Sequence, residues 1–165
     1  MKRSEIILRA RSAIGHGIPY KLGKGGYNPT ALVPGRIGCD CSGFIAWVFG
    51  VSRKLDIPYY KNLNGGWFET SAIVADSKST NGFVDQIDFI IAKPGDILVW
   101  PDGEGHQGHI GVISEVNESL QVPQKVIHCS LGNYRKYNDA IQETGIEIFL
   151  SHHAIAAKFA WVEGE

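Results

Sequence analysis

The sequence predicts an α+β fold, with helices leading and a mainly antiparallel β-sheet following. Three observations carry this. Ile6, Ile7, Ala10, Ala13 and Ile14 recur at helical spacing near the start. A second apolar stripe, Phe44, Trp47, Val48 and Val51, has the same period. The second half then changes to short β-rich runs with no helical segment expected between them.

The first helix is expected to be capped by Ser4 and ended by Gly15 and Gly17. From Ile18 to Cys39 Gly and Pro are frequent and no period is present, which predicts a long ordered loop. The second helix is expected over about Ser42 to Leu55, and a shorter one over about Phe68–Ala75. The stretch Asp76–Phe83 is polar and reads as a surface loop. Pro94-Gly95 is placed for a tight turn before the strand "ILVW". "HIGVISEV", "KVIHCS", "GIEIFL" and "KFAWVE" read as further strands.

The 165 residues suffice for one domain with its own core, and 1–165 is read as a single domain. Charged residues make up 20% and the net charge is −1, so nothing draws the chain to nucleic acid or an anionic membrane. No apolar stretch approaches the ~20 residues of a membrane span. The start "MKRSEIILRARSAIG" is a poor signal-peptide core, because Glu5, Arg9 and Arg11 interrupt it. Either the protein acts inside the producing cell, or it leaves by a route without such a signal, or a leader has been removed. Cell envelope or secretion by that route are the locations considered.

The chemistry centres on "GCDCSGFIAW". Cys41 stands where the loop meets the second helix. A thiol at a helix N-terminus feels the positive end of the macrodipole, which favours thiolate. By itself, though, a free cysteine is more often a small buried hydrophobe. A thiol nucleophile needs an imidazole to take its proton and return it to the leaving amine. Of six histidines, His109 opens "HIGVI" directly after the loop "PDGEGHQG". His128, in "VIHCS", reaches the same end of the sheet if the two strands pair antiparallel, and could orient His109 through its other nitrogen. His16, His106, His152 and His153 sit in polar or turn-like surroundings. Tyr20 places a phenol in the glycine-rich loop, where it could donate to an oxyanion or simply pack its ring. Cys39, Cys41, Cys129, His109 and His128 could in principle ligate zinc. However, Cys39 and Cys41 lack the usual ligand spacing and no second cysteine pair exists.

"PYKLGKGG", "DCSGFIAWVF", "KPGDILVW", "GHIGVI" and "VIHCS" occur in the order seen in NlpC-type cysteine peptidases. The chain resembles this family of papain-like bacterial cell-wall hydrolases from about Tyr20 to Ser130. The resemblance implies a papain-like fold, with the nucleophile at a helix N-terminus packed on the sheet. It implies Cys41 as nucleophile, His109 as base and His128 as third polar residue, with Tyr20 lining the oxyanion site and Cys39 a spectator. It implies that Asp40 and Ser42 hold the free amine of a substrate. No metal or organic cofactor is called for.

The implied substrate is a peptidoglycan stem peptide, cut between D-γ-glutamate and a diamino acid. Two alternatives stand beside it: a protein- or lipid-directed deamidase or acyltransferase effector, and an inactive binding module that kept the fold. An exported effector or toxin would call for a delivery or inhibitory protein partner, but no residue points to one. The segment Lys24–Gly38 is longer than the resemblance leads one to expect and could reshape the groove.

Overall fold

A computed structural model describes residues 1–117 and 119–164. Its helices are α1 (Arg3–Ser12), α2 (Cys41–Phe49), α3 (Pro58–Asn64), α4 (Thr70–Ser77), α5 (Leu131–Tyr137) and α6 (Glu147–Ser151). Its strands are β1 (Val84–Ile87), β2 (Ile97–Trp100), β3 (His109–Asn117), β4 (Val122–Cys129), β5 (Ile141–Gly145) and β6 (Ile155–Phe159). Among the described residues the strands form one sheet, β1-β6-β2-β3-β4-β5, with antiparallel neighbours throughout. The expected α+β class, helices against a mainly antiparallel sheet, is what the chain adopts.

Alternation along the strands sorts side chains to two faces. Ile97, Val99, Ile110, Val112 and Ile127 turn to the larger core, which includes Phe44, Ile45 and Val48 of α2. Leu98, Trp100, Ile113 and Val126 turn to a smaller core closed by Phe149 of α6. The catalytic candidates lie at one end of this sheet.

Several expectations about element limits are corrected. The cap of α1 is Lys2, not Ser4, and its backbone N–H donates to the Glu5 carboxylate. The second helix stops at Phe49 rather than Leu55, because Gly50 adopts a left-handed conformation and Val51 N–H bonds back to Ala46 O. "GIEIFL" is not a strand. Gly145 ends β5, and Ile146 and Phe149 are buried at helical spacing while Ile148 and Leu150 are exposed. α5 and α6 therefore interrupt the expected run of strands. The last strand is Ile155–Phe159, with Trp161 and Val162 beyond it. Residues 24–38 do not line the cavities around Cys41 and His109 described below; Pro29, Thr30, Ala31 and Leu32 lie instead against Trp47 and α1.

Asp76–Phe83 is not simply surface loop. Asp76 is fully buried, accepts from the Tyr60 hydroxyl at 2.7 Å and from Phe83 N–H at 3.1 Å, and so ties α3, α4 and β1 together. Burial pushes its pKa up. Asp76→Ala strands a buried phenol and a partly buried amide. It is expected to lower unfolding free energy by about 2 kcal/mol or more, read from the urea midpoint, whereas a surface residue would change little.

Candidate active site

Cys41 is the first residue of α2 because Asp40 is an effective cap. The Asp40 carboxylate accepts from Gly43 N–H at 2.7 Å. Gly43 is required here, since a Cβ would lie 2.2 Å from Lys24 O. The glycine-rich loop is stitched to the approach to Cys41 by Lys21 N–H to Cys39 O (2.9 Å) and Cys39 N–H to Pro19 O (3.0 Å). This brings Tyr20 to the cavity that Cys41 lines. Tyr20, Asp40, Cys41, Ser42 and Gly108 line one cavity. Tyr20, Gly108, His109 and His128 line the next, so the cavities adjoin at Tyr20 and Gly108.

The antiparallel pairing of β3 with β4 is present, and its register sets Gly111 opposite His128. His109, two residues along, is on the same face as His128. Gly111 makes the arrangement fit: a Cβ there would lie 3.0 Å from both His128 Cβ and the Phe149 ring. The imidazoles meet with Nε2 of His109 2.7 Å from Nδ1 of His128. Nε2 of His128 is 2.9 Å from Thr144 Oγ1, and the Thr144 hydroxyl donates to Gly145 O at 3.0 Å.

These contacts assign the protons. Thr144 spends its only hydrogen on Gly145, so it accepts from His128 Nε2–H. The Nδ1 of His128 is then a lone pair and accepts from His109 Nε2–H. That leaves Nδ1 of His109 as the free basic atom. Thr144 was not anticipated. It comes from β5, a strand with no signal in the sequence that ties it to the other site residues.

The electrostatics depart from the expected thiolate. Burial, reinforced by the Asp40 charge, pushes the Cys41 thiol up to about 12. The N–H groups of Ser42 and Ile110, directed to the sulfur, oppose this without overcoming it. Burial, with His128 and His152 nearby, holds His109 well below 6.5. Burial lowers His128 to about 4. The resting pair is therefore a neutral thiol and a neutral imidazole. Burial of Tyr20, with Cys41 and Asp40 beside it, raises its phenol, which keeps its proton and remains a donor.

The buried neutral histidines also govern acid stability. Unfolded, both take up protons near 6.5; folded, they resist. The unfolded chain binds more protons below 6.5, so stability is lost as pH falls from 6.5 toward 4. His128 is expected to contribute about 3 kcal/mol of that loss. Urea titrations at pH 7 and pH 4 measure it, and His128→Gln should flatten the dependence.

The remaining side chains fall outside this chain of bonds. Ser42 donates to Asp40 at 3.3 Å, and both are buried. Asp40 is further paired with Arg53. The Cys39 thiol is buried and donates to Asp40 O. His152, whose sequence surroundings are polar or turn-like, stacks on Trp100, which in turn packs against His109. Among the described residues no group of three or more His, Cys, Asp or Glu is arranged to hold a metal, and no helix is long and apolar enough to cross a membrane.

A cysteine at a helix N-terminus, with a histidine opening a strand in the adjoining cavity, is the arrangement of papain-like cysteine hydrolases. A family model described as the CHAP domain matches residues 32–128, more than half of the chain. The chain belongs to this family, a papain-like cysteine peptidase/amidase domain found in NlpC/P60-like peptidoglycan hydrolases. The family-level resemblance read from the motifs is thus borne out, and the chain is a hydrolase of the amidase/peptidase class. None of the curated proteins compared with it matches.

Proposed function

We propose that the chain, as one catalytic domain, cleaves peptidoglycan stem peptides at the D-γ-glutamyl–diamino acid bond. Cys41 is the nucleophile, His109 the base and His128 the residue that orients it. The observation carrying this reading is the one-directional chain of bonds from Thr144 through His128, which leaves the His109 Nδ1 lone pair free, with His109 lining a cavity that adjoins the one lined by Cys41.

In the first step His109 Nδ1 takes the thiol proton as the sulfur attacks the amide carbonyl. The resulting imidazolium is stabilised by His128, whose low pKa keeps it a neutral acceptor. The oxyanion accepts from the Cys41 backbone N–H and the Tyr20 hydroxyl. The carbon–nitrogen bond then breaks and His109 gives its proton to the departing amine. Water, losing a proton to the same imidazole, hydrolyses the thioester and restores the thiol. Asp40 and Ser42 shape the wall on the acyl side.

Thr144→Val removes one hydrogen bond from the relay. It is expected to lower kcat/KM about tenfold with the fold intact. Because His109 ionises well below 6.5, the acidic limb of kcat/KM is expected below that pH.

The test is digestion of purified sacculi with mass spectrometry of the products. Stem peptides ending in D-glutamate, with matching new amines, support the reading. Intact sacculi alongside hydrolysis of a protein or lipid amide would replace it with the effector reading, and inertness toward all of these would favour a binding module.

A further inference from the structure

In stem-peptide hydrolases the residue at Asp40 is expected to hold a substrate's free amine, yet in this chain its charge is already taken. Arg53 reaches it with both terminal nitrogens, Nη1 to Oδ1 at 2.5 Å and Nη2 to Oδ2 at 3.1 Å. Gly43 N–H and the Ser42 hydroxyl occupy Oδ1 as well, and Gly23 N–H bonds Oδ2 at 2.6 Å. The side chains of the pair are 10% and 3% exposed.

Arg53 is also held in place. Its guanidinium lies 4.7 Å from the centre of the Trp67 ring. Its stem crosses Gly26 and its Nη1 passes Gly43, where Cβ atoms would lie 2.4 and 2.7 Å away. Its carbonyl accepts from Phe68 N–H at 2.9 Å, and Phe68 is fully buried. Swinging the guanidinium aside would leave Asp40 a buried, unpaired charge.

Arg53 and Asp40 both line the cavity beside Cys41. An ammonium brought to Asp40 would meet a neutralised pair with a fixed cation in it, and would lose its hydration without gaining a free carboxylate. Glu69 and Asp102 line the same cavity but are poor substitutes. The Glu69 oxygens accept from Ser71 and Ala72 N–H and from Asn64. Asp102 is exposed and accepts from Gly108 N–H, so solvent screens its charge.

We infer that Arg53 is a specificity-determining residue: it turns the acyl side of the groove away from free ammonium groups. The preferred substrate is then a stem peptide whose amino end is acylated, as in intact wall, rather than a released peptide with a free amino terminus. This rests on the peptidoglycan reading above.

The test is a matched pair of soluble stem peptides, one with a free amine and one N-acetylated, given to the wild-type protein. The acetylated peptide is expected to show kcat/KM at least about tenfold higher. Arg53→Met, which keeps the stem and deletes the charge, should shrink or reverse the ratio, while Arg53→Lys should keep its direction. The wild-type ratio decides the matter even if either variant folds poorly. Equal rates, or a preference for the free amine, overturn the inference and leave the peptidoglycan reading standing. No cleavage of either peptide or of sacculi removes both.

Discussion

Cys41→Ala is expected to lower kcat/KM for amide hydrolysis by about 10⁴-fold or more while the protein stays folded. Loss on this scale follows from the proposed role of the sulfur as the atom that forms the covalent bond, for which neither oxyanion donor nor imidazole can substitute. Removing it changes only a single atom of the core, so the urea midpoint should hardly move. The same site makes a less usual prediction about reagents. With the free thiol raised to about 12, alkylation by iodoacetamide should be slow at neutral pH and should accelerate steeply as pH rises above 9. Slow alkylation would therefore not mark an inactive site. In a buried neutral pair the proton leaves as the carbon–sulfur bond forms, so turnover does not need a standing thiolate. A wild-type protein that alkylates slowly yet hydrolyses its substrate is the expected combination.

His109→Ala is expected to cost about 10³-fold or more in kcat/KM, because in the proposed mechanism it removes the atom that carries the proton in both half-reactions. The residue lies beside a cavity, so added imidazole should restore part of the activity of this variant, and should do nothing for Cys41→Ala. A merely structural histidine would show no such rescue. Stability should fall less at acidic pH in the variant than in the wild type, since one neutral buried imidazole is gone. Rescue and pH dependence together separate the chemical role of His109 from its packing against Trp100 and Phe149.

Much of this was legible because it is local. The helical stripe after Cys41, the turn at Pro94-Gly95 and the β-rich run from His109 each declare themselves within ten residues. The joining of His109 to His128 needed one assumption, antiparallel pairing, and β3 and β4 supply it. What was hidden depends on distant partners. Thr144 acts only because β5 adds to the edge of β4. Arg53 matters only because Gly50 ends α2 early and sends the chain back past Asp40. Asp76 sits in a polar stretch and looked solvent-facing until Tyr60 and Phe83 closed over it. "GIEIFL" misled because its apolar residues fit either period, and burial of Phe149 beneath the histidines decided for a helix. The thiol's charge state was misjudged for a related reason. A helix N-terminus is visible in a sequence, but the burial and the neighbouring carboxylate that outweigh it are not.

The most direct measurement is the mass of the Cys41-containing peptide from enzyme quenched with acid during turnover of a purified muropeptide. The account predicts an added acyl fragment on Cys41, released by hydroxylamine, with a new amine in the products and none of either from Cys41→Ala. Full product formation by Cys41→Ala, with Cys41 unmodified in the wild type at every quench time, would contradict it.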